Sequence, residues 1–250
     1  MSGEMIRTTA IKPVPNAFCP GCLHSMASKL IGESLEELGL IEKTVMVIPV
    51  GCSTMGLNFW KMDMVSAAHG RAPAVAVGIK RVQPESFVFA YQGDGDLASI
   101  GLSEVLSAAN RGEKITVIFA NNSTYGMTGG QLAPTTLVGQ KATTAPRGRN
   151  PETEGYPTDM CALLNVFKAP LFIARCALNS VSGVREAKRA IKRAFQHQLD
   201  GDAFSFVELM TNCPTNWGMA PLDTLKFMEE NTLKQFPVGV LRDRKGEEQE

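Results

Sequence analysis

A glycine-rich turn and a pair of asparagines, each following an apolar run, constrain the fold of this chain more than any other feature. The turn is Gly93-Asp94-Gly95-Asp96, directly after the apolar residues 87–91. The pair is Asn121-Asn122, after a second apolar run, 115–120, and the helical stretch 97–111 lies between the two. This order predicts strand, turn, helix and strand, with both strands parallel because a helical crossover joins them.

The residue types in this unit predict a magnesium–diphosphate site. Parallel strands end at the same edge of a sheet, so the Asp94 carboxylate and the Asn122 amide can share one ion. Glycines let the backbone approach a phosphate closely. Magnesium prefers oxygen ligands and usually keeps substrate phosphate oxygens in its coordination shell.

The other apolar and amphipathic segments alternate between strand-like and helix-like patterns along the chain. Strands are predicted at 44–49, 87–91, 115–120, 171–175 and 204–210, and helices at 21–38, 73–79, 97–111, 182–198 and 222–230. This alternation predicts a doubly wound α/β fold, which is a mainly parallel sheet with helices on both faces. We expect one such domain over residues 1–235 and a charged tail over 236–250.

The chain has six cysteines, and two of them form the motif Cys19-Pro20-Gly21-Cys22. Such a motif is typical of a redox dithiol, a zinc site or an iron–sulfur cluster. A redox pair usually follows a strand, and zinc would need a second close pair of ligands. Iron–sulfur clusters take four thiolates, which can come from distant parts of a chain, and Cys52 and Cys213 both lie at the ends of predicted strands. The spacing alone leaves these alternatives open.

Six motifs in a fixed order give the chain a specific resemblance to a known family. They are Phe18-Cys19-Pro20-Gly21-Cys22 with His24, Gly51-Cys52-Ser53, His69-Gly70-Arg71-Ala72, Gly93-Asp94-Gly95-Asp96, Tyr125-Gly126-Met127-Thr128-Gly129-Gly130-Gln131 and Cys213-Pro214-Thr215-Asn216-Trp217-Gly218. In this combination the chain resembles the thiamine-diphosphate-binding β subunit of the 2-oxoacid:ferredoxin oxidoreductases. The resemblance implies that the predicted α/β domain binds thiamine diphosphate.

The resemblance also implies two inorganic sites. Magnesium would be bound by the side chains of Asp94 and Asn122 and the backbone carbonyl of Thr124. A [4Fe–4S] cluster would be held by Cys19, Cys22, Cys52 and Cys213. Two further cysteines match no ligand position of the family, and we expect both to be buried thiols: Cys161 and Cys176.

Residues around the thiamine diphosphate follow from the same resemblance. The cofactor-binding residues would be Cys52, Ser53, His69, Arg71, Gly93, Gly95, Asp96, Tyr125, Gly126, Met127 and Thr128. Among them, His69 and Thr128 are the candidate catalytic residues. The sequence adds a reason for His69 and Arg71, because cations at the start of a helix are favourable only when an anion such as diphosphate lies there.

The implied reaction is the oxidative decarboxylation of a 2-oxoacid to an acyl-CoA. Thiamine diphosphate would supply the carbanion chemistry, the cluster would pass electrons to ferredoxin, and coenzyme A would accept the acyl group. No segment of this chain resembles the domain that supplies the glutamate for the aminopyrimidine ring. We therefore expect an α partner that supplies this glutamate, together with γ and δ subunits that carry ferredoxin-like clusters.

The residues near the cofactor favour a branched-chain substrate such as 2-oxoisovalerate, with 2-oxoglutarate second. Related enzymes for 2-oxoglutarate sometimes carry a lysine where this chain has Gly129, and the segment 213–218 is most similar to the branched-chain enzymes. Two other functions stay open. One is a thiamine decarboxylase or synthase subunit without redox chemistry, and the other is a metal-binding electron-transfer subunit without catalysis.

Composition excludes several other classes of protein. The formal net charge is zero, which disfavours nucleic-acid binding, and no run of about 18 apolar residues predicts a membrane span. Iron–sulfur ligands must be reduced thiols, so we expect a cytoplasmic protein. The segment 131–158 has weak periodicity and four prolines. Loops of this length are usually functional, so it should cover the cofactor or contact a partner.

Overall fold

The computed structural model describes residues 8–201 and 203–244, and these residues form a sheet of seven strands. The strands are β1 (Thr44–Ile48), β2 (Asp63–Ser66), β3 (Phe87–Gly93), β4 (Thr116–Asn121), β5 (Phe172–Ala177), β6 (Ser205–Met210) and β7 (Gly239–Asp243). Their order across the sheet is β2-β1-β3-β4-β6-β5-β7. Neighbouring strands are parallel except β5 and β7, which are antiparallel.

Helices cover both faces of this sheet. The α-helices are α1 (His24–Glu37), α2 (Ala72–Val82), α3 (Leu102–Asn110), α4 (Pro151–Glu154), α5 (Met160–Asn165), α6 (Val181–Leu199), α7 (Pro214–Trp217), α8 (Pro221–Phe227) and α9 (Leu233–Gln235). Helices α1 and α6 pack on one face, and α2, α3 and α5 pack on the other. The predicted doubly wound α/β fold is confirmed.

Strand β3 shows why the sheet needs helices on both faces. Its side chains alternate between two apolar clusters, because successive residues of a strand point to opposite sides. Phe87, Phe89 and Tyr91 belong to the cluster with α1 and α6, whereas Val88 and Ala90 belong to the cluster with α2 and α3. Because all of them are buried, β3 is apolar on both sides, as expected for a central strand of a parallel sheet.

The five predicted strands are β1, β3, β4, β5 and β6, and their ends agree with the prediction to within two residues. Strand β2 was not predicted. It is a four-residue strand at one edge of the sheet, and three of its residues are exposed. A short exposed strand has no apolar face to bury, so it leaves no alternating pattern in the sequence.

The structure contradicts the expected charged tail from residue 236. Phe236 is fully buried, and β7 pairs with β5 at the other edge of the sheet. The Arg242 guanidinium group donates hydrogen bonds to three backbone carbonyl oxygens between residues 165 and 170. Charged residues are common on edge strands, so the high charge of this segment concealed a strand. Residues 245–250 lie outside the described part of the chain.

Four of the predicted helices correspond to observed helices: 21–38 to α1, 73–79 to α2, 182–198 to α6 and 222–230 to α8. Helix α8 continues in a π turn at Met228–Thr232. The short helices α4, α5 and α7 were not predicted, because four to six residues give too little periodicity to detect. Among the described helices, none combines the length and the apolar content needed to cross a membrane.

The predicted helix 97–111 is interrupted near its start. A π turn spans Asp96–Ile100, and α3 begins only after Gly101. A Cβ on Gly101 would collide with the backbone of Gly70, so glycine permits the segment with Gly70 to lie against this turn. Isolated π turns are frequent at functional sites, and this one follows the glycine-rich turn directly.

Candidate active site

The carboxyl ends of β1 and β3 form a topological switch point. The chain leaves β1 toward β2 on one side and leaves β3 toward β4 on the other side. Ligands of open α/β sheets bind in the crevice between such diverging connections. A cavity of about 90 Å³ lies there. Most of the predicted site residues line it: Cys52, His69, Gly93, Asp94, Gly95, Asp96, Asn122, Thr124, Tyr125, Gly126, Met127 and Thr128.

The three predicted magnesium ligands lie together beside this cavity. One terminal atom of the Asn122 carboxamide lies 2.6 Å from Asp94 Oδ2 and 2.8 Å from the Thr124 carbonyl oxygen. Both neighbours only accept hydrogen bonds, so without a cation this atom must be the amide nitrogen. A bound cation would instead attract the amide oxygen, and three oxygen atoms would then converge on it.

Asp94 is almost completely buried and is held by groups of its own chain. Its Oδ2 accepts a hydrogen bond from the Asn122 backbone N–H at 3.0 Å, and its Oδ1 accepts one from Thr135 Oγ1 at 2.7 Å. Burial raises the pKa of this carboxyl to about 7, although these hydrogen bonds lower it. A cation beside Asp94 would favour the ionised form and offset the cost of its burial.

Asp96 fixes the segment that carries His69. Its Oδ1 accepts hydrogen bonds from His69 Nδ1 and the Gly70 backbone N–H, both at 2.6 Å, and its Oδ2 accepts one from Gln92 Nε2 at 2.5 Å. Burial raises the pKa of Asp96, and the hydrogen bonds only partly reverse this. Because Nδ1 bonds to Asp96, Nε2 is the ring nitrogen that remains for a ligand in the cavity. The sequence had indicated Asp96 only as a cofactor-binding residue and gave no sign of Gln92.

Two predicted cofactor-binding residues do not line the cavity. Arg71 lies at the start of α2 and forms an ion pair with Glu104 on α3. Ser53 is buried in the 3₁₀ helix Cys52–Asn58 that follows β1. Arg71 pairs with Glu104 because α2 and α3 pack side by side. Its contact with a diphosphate stays a prediction.

The loop after Asn122 packs onto the glycine-rich turn. A Cβ on Gly95 would collide with the Tyr125 ring, so this glycine makes room for an aromatic side chain as well as for a ligand. An isolated β-bridge joins Tyr125 to Gln131 and closes the loop. The Thr128 hydroxyl donates to Gln131 Oε1 at 2.6 Å. This bond fixes the side chain of a candidate catalytic residue at the cavity.

The four cysteines that the sequence analysis assigned to a cluster come from three separate segments that meet. An added Cβ at Gly126 would lie 3.2 Å from Cys52 Sγ and 3.8 Å from Cys213 Sγ, so both sulfur atoms flank this glycine. Burial, and then the charges of neighbouring cysteines, raise the pKa of Cys22 to about 11 and that of Cys52 to about 12. Cys19 contributes to both shifts and is itself exposed.

The other two cysteines, Cys161 and Cys176, are buried, as predicted. They lie in apolar clusters on opposite faces of the sheet. Burial raises the pKa of both thiols. Their surroundings therefore keep them protonated and separate them from the cavity.

The Asn212 side chain joins the N-terminal cysteine loop to the end of β6. Its Oδ1 accepts a hydrogen bond from the Leu23 backbone N–H at 3.0 Å. Its Nδ2 donates to the Gly21 carbonyl at 3.1 Å and to Thr224 Oγ1 at 2.7 Å. Asn212 is fully buried, so these bonds are protected from water. They hold the loop with Cys22 against the strand that leads to Cys213, although no sequence signal pointed to Asn212.

A buried histidine–tyrosine pair lies close to both the cysteines and the cavity. His24 Nδ1 and Tyr91 Oη are 2.6 Å apart, and His24 lines the cavity. Burial lowers the pKa of His24 to about 4, so its ring is neutral at physiological pH. Burial, with smaller effects of Cys22 and Cys52, raises the pKa of Tyr91. His24 and Tyr91 therefore form a hydrogen bond between two uncharged side chains beside the cavity. The sequence motif had included His24, whereas Tyr91 was only part of an apolar run.

Segment 131–158 lies against the predicted metal ligand Asp94 and is organised by Arg149. Its buried guanidinium group donates hydrogen bonds to six backbone carbonyl oxygens between residues 133 and 156. Within the stretch that Arg149 binds, the Thr135 hydroxyl donates to Asp94 and the Thr136 hydroxyl donates to the Ser123 carbonyl. The segment thus supports a predicted metal ligand. That it also covers the cofactor or contacts a partner stays a prediction.

A buried ion pair lies beneath the two asparagines. Glu208 on β6 is fully buried and accepts hydrogen bonds from Asn121 Nδ2 and Arg175 Nε, both at 2.7 Å. Asn121 Oδ1 in turn accepts one from the Ser123 backbone N–H at 3.1 Å. Ser123 has a φ of 59°, a left-handed conformation that costs energy outside glycine. The network from Glu208 therefore stabilises the turn that presents Asn122.

Comparisons with known proteins agree with this geometry. The family model for the C-terminal TPP-binding domain of thiamine pyrophosphate enzymes matches residues 49–209. The 2-oxoglutarate synthase subunit KorB of Archaeoglobus fulgidus is 37% identical over 96% of this chain and 85% of its own length. The chain belongs to the 2-oxoacid:ferredoxin oxidoreductase family. The resemblance found from the sequence motifs is confirmed.

Other members of the 2-oxoacid:ferredoxin oxidoreductase family show higher identity or a known structure. The ketoisovalerate oxidoreductase subunit VorA of Methanothermobacter thermautotrophicus is 50% identical over 94% of this chain. The chain spans about half of that relative, 49% of its length. A 2-oxoglutarate:ferredoxin oxidoreductase from Magnetococcus marinus, solved with 2-oxoglutarate, coenzyme A and succinyl-CoA bound, has a TM-score of 0.80 at 26% identity. That match covers 97% of this chain and 86% of the solved chain.

Proposed function

We propose that this chain is the thiamine-diphosphate-binding subunit of an enzyme that converts a 2-oxoacid to an acyl-CoA and passes the electrons through a [4Fe–4S] cluster to ferredoxin. The position of the cysteines beside the predicted metal ligand carries this proposal. Asp94 is close enough for its charge to raise the pKa of both Cys52 and Cys213, after the larger effect of burial. The same two sulfur atoms flank Gly126 of the cavity. A thiamine site and an electron acceptor would therefore be neighbours.

The residues at the cavity fit a magnesium-bound diphosphate. Asp94, Asn122 and Thr124 would provide an all-oxygen ligand set, and the diphosphate would complete it. The helical stretch that begins at Asp96 has no side-chain cap, so its first backbone N–H groups can bind an anion. When bound, thiamine diphosphate supplies the carbanion chemistry of the reaction. The chain itself orients His69 through Asp96 and holds Thr128 at the cavity.

The four cysteines fit an iron–sulfur cluster better than a single ion. Their four thiolates come from three segments of the chain and match the number of ligands that a [4Fe–4S] cluster takes. The ligands of a cluster bind different iron atoms and therefore lie further apart than the ligands of one zinc ion. The raised pKa values of Cys22, Cys52 and Cys213 also mean that these thiols ionise only when a positive group takes up the thiolates.

Branched-chain 2-oxoacids such as 2-oxoisovalerate are the proposed substrates, and 2-oxoglutarate is the second candidate. The 50% identity with a ketoisovalerate oxidoreductase subunit exceeds the 37% identity with a 2-oxoglutarate synthase subunit. Gly129 also favours branched-chain 2-oxoacids over 2-oxoglutarate, because it has no side chain that could bind the second carboxylate of 2-oxoglutarate. An α subunit would supply the glutamate for the aminopyrimidine, and γ and δ subunits would carry electrons from the cluster to ferredoxin.

The proposed function is tested on the complex purified without oxygen. We expect thiamine, magnesium and iron to co-purify with the chain, and dithionite to produce the EPR signal of a reduced cluster. Coenzyme-A-dependent reduction of a viologen dye should be faster with 2-oxoisovalerate than with 2-oxoglutarate or pyruvate. Thiamine without iron would identify a thiamine enzyme without redox chemistry. Iron without thiamine would identify an electron-transfer subunit, and either result would overturn the proposal.

A further inference from the structure

The side chain of Asn216 lies between the cysteine region and the thiamine-binding loop. Its Nδ2 atom is 2.7 Å from the Gly126 carbonyl oxygen and 3.2 Å from Cys213 Sγ. The carbonyl oxygen can only accept, so the atom facing it must be the amide nitrogen, which fixes the orientation of the carboxamide. A primary amide carries two hydrogens. One can bond to Gly126 while the other points to the sulfur.

We propose that Asn216 is a positioning residue that sets the reduction potential of the cluster. Its amide donates a hydrogen bond to Cys213 Sγ when that sulfur binds iron, and its second N–H holds the loop at Gly126 in place. This inference rests on the proposed function, because it requires that Cys213 is a cluster ligand. It adds a residue that links the cluster to the cofactor cavity.

The direction of the effect follows from charge. A reduced cluster carries one more negative charge than an oxidised cluster, and part of that charge lies on the cysteine sulfur atoms. A hydrogen bond to a ligand sulfur therefore stabilises the reduced form more and raises the potential.

The surroundings of Asn216 hold it in this position. It belongs to α7, a single helical turn that begins at Pro214 and ends at Gly218, which has a left-handed φ of 63°. Gly130 packs against it so closely that an added Cβ would lie 3.0 Å from Asn216 Cβ. The next residue, Trp217, makes a similar contact. Its Nε1 donates a hydrogen bond to the Asn122 carbonyl oxygen at 3.1 Å. Helix α7 therefore reaches the thiamine-binding loop through Asn216 and the metal-binding turn through Trp217.

These neighbouring contacts provide a matched control. Asn216→Leu keeps the approximate shape of the side chain and removes both donors, whereas Trp217→Phe removes the donor to Asn122 but leaves the donor to Cys213. Both variants are made in the complete complex, and the midpoint potential of the cluster is measured by EPR-monitored titration. Asn216→Leu should load iron and have a more negative potential than the parent. Trp217→Phe should keep the parent potential.

A second measurement follows the loop. Removing the bond to the Gly126 carbonyl should weaken thiamine diphosphate binding about fivefold, since one hydrogen bond contributes about 1 kcal/mol. If Asn216→Leu fails to load iron, Asn216→Ser decides whether residue 216 sets the potential of the cluster, because serine keeps one shorter hydrogen-bond donor. The midpoint potential of the cluster in Asn216→Ser should be more negative than in the parent. If Asn216→Ser loses iron while Trp217→Phe loads iron normally, this would also show that the ligand Cys213 needs Asn216.

Full iron loading with an unchanged potential in the Asn216 variants would overturn the inference. An equal shift in Trp217→Phe would also overturn it, because the effect would then belong to the helix and not to the amide. Absence of a cluster from the parent complex would instead refute the proposed function. The two failures are therefore distinguishable in one set of preparations.

Discussion

The two halves of the site differ in how the chain satisfies their polar groups. At the predicted metal-binding edge, formed by Asp94, Asp96 and Asn122 at the ends of β3 and β4, hydrogen bonds of the chain already hold both carboxylates. Asp94 bonds to Thr135 and to the backbone of Asn122, and Asp96 bonds to three donors, among them His69. In the cysteine region, the contacts are weak. Cys22 Sγ lies 3.9 Å from the Asn212 carbonyl oxygen and accepts one hydrogen bond, from the backbone N–H of His24.

The difference lies in the chemistry of the donors. Carboxylate and amide oxygens form strong hydrogen bonds with backbone and hydroxyl groups, so a chain can arrange them before any ligand binds. Buried thiols are weak donors and weak acceptors, and burial makes their ionised form costly. We therefore expect the metal-binding edge to keep its geometry without ligand, whereas the cysteine region depends on its inorganic group for stability. The following changes test this contrast, from the largest expected effect to the smallest.

Replacing a cysteine should have the largest effect, because it leaves one iron atom of the proposed cluster without its thiolate ligand. In Cys213→Ser, we expect the iron content of the complex to fall to background, as measured by metal analysis and EPR. Cys176→Ala is the control, since this buried thiol lies away from the cavity. Normal iron in Cys213→Ser would remove this residue from the ligand set.

Asp94→Asn keeps the shape of the side chain but removes its charge from the metal-binding edge. We expect the affinity for magnesium with thiamine diphosphate to fall about 100-fold or more, because even outer-shell changes reach this size. Calorimetric titration measures the loss, and Asp63→Asn on the exposed strand β2 is the control. The iron content should stay normal, since Asp94 is not a thiol ligand. Unchanged affinity would show that the assigned ligand is wrong.

Glu208→Ala tests the buried network beneath the asparagines. It removes the partner of Arg175 on β6 but leaves its ion pair with Asp159, so the free energy of unfolding should fall by about 3 kcal/mol. Chemical denaturation of the metal-free protein measures this change. Glu208→Gln, which retains a hydrogen-bonding side chain, should lose less. Equal stability of all three proteins would mean that the network does not support the turn at Asn122.

Thr135→Val removes one hydrogen bond to Asp94 without changing the ligand itself. A bond to a charged group contributes about 1.5 kcal/mol or more, so magnesium should bind about tenfold more weakly. Thr143→Val, at an exposed position of the same segment, is the matched control. If both variants bind magnesium equally well, segment 131–158 does not organise the metal-binding edge.

Asp243→Asn should have the smallest effect and leave both cofactors in place. Asp243 on β7 accepts hydrogen bonds from Arg193 and His197 on α6. Burial raises the pKa of Asp243, but the hydrogen bonds from Arg193 and His197 lower it by more. Its pKa therefore lies below the usual value for an aspartate. The pair is partly exposed, so it contributes about 1 kcal/mol or less.

The depressed pKa of Asp243 also fixes a pH dependence. Ionised Asp243 stabilises the fold at pH values above the ordinary carboxyl pKa. This stabilisation is lost as the pH falls through the lower pKa that Asp243 has in the folded state. Thermal unfolding between neutral and acid pH should therefore show a smaller acid-induced loss for Asp243→Asn than for the parent. A steeper loss in the variant would contradict the assigned hydrogen bonds.

Much of the site was predictable because its residues lie at the ends of buried strands. The apolar runs at β3 and β4 located the sheet edge where Asp94 and Asn122 meet. Cys52 and Cys213 follow β1 and β6, and their convergence also followed from the parallel sheet. Arg71 shows the limit of this reasoning, because a motif places a residue near a site without showing which partner its side chain will choose.

The residues that sequence reasoning missed act through distant partners. Thr135 reaches Asp94 only because Arg149 binds the backbone around it, and Glu208 reaches Asn121 only because β6 lies next to β4. Strand β7 was missed for a similar reason. Its edge position tolerates charge, so the sequence looked like that of a tail.

By itself, the sequence determined the fold class, the family and the order in which ligand-bearing turns occur, because apolar periodicity and short motifs are local properties of a chain. Only the tertiary structure decided that Arg71 pairs with Glu104, that Thr135 supports Asp94, and that Asn216 lies between Gly126 and a cysteine sulfur. Such choices depend on which side chains come within hydrogen-bonding distance after the strands and helices have packed, and no local pattern records that distance.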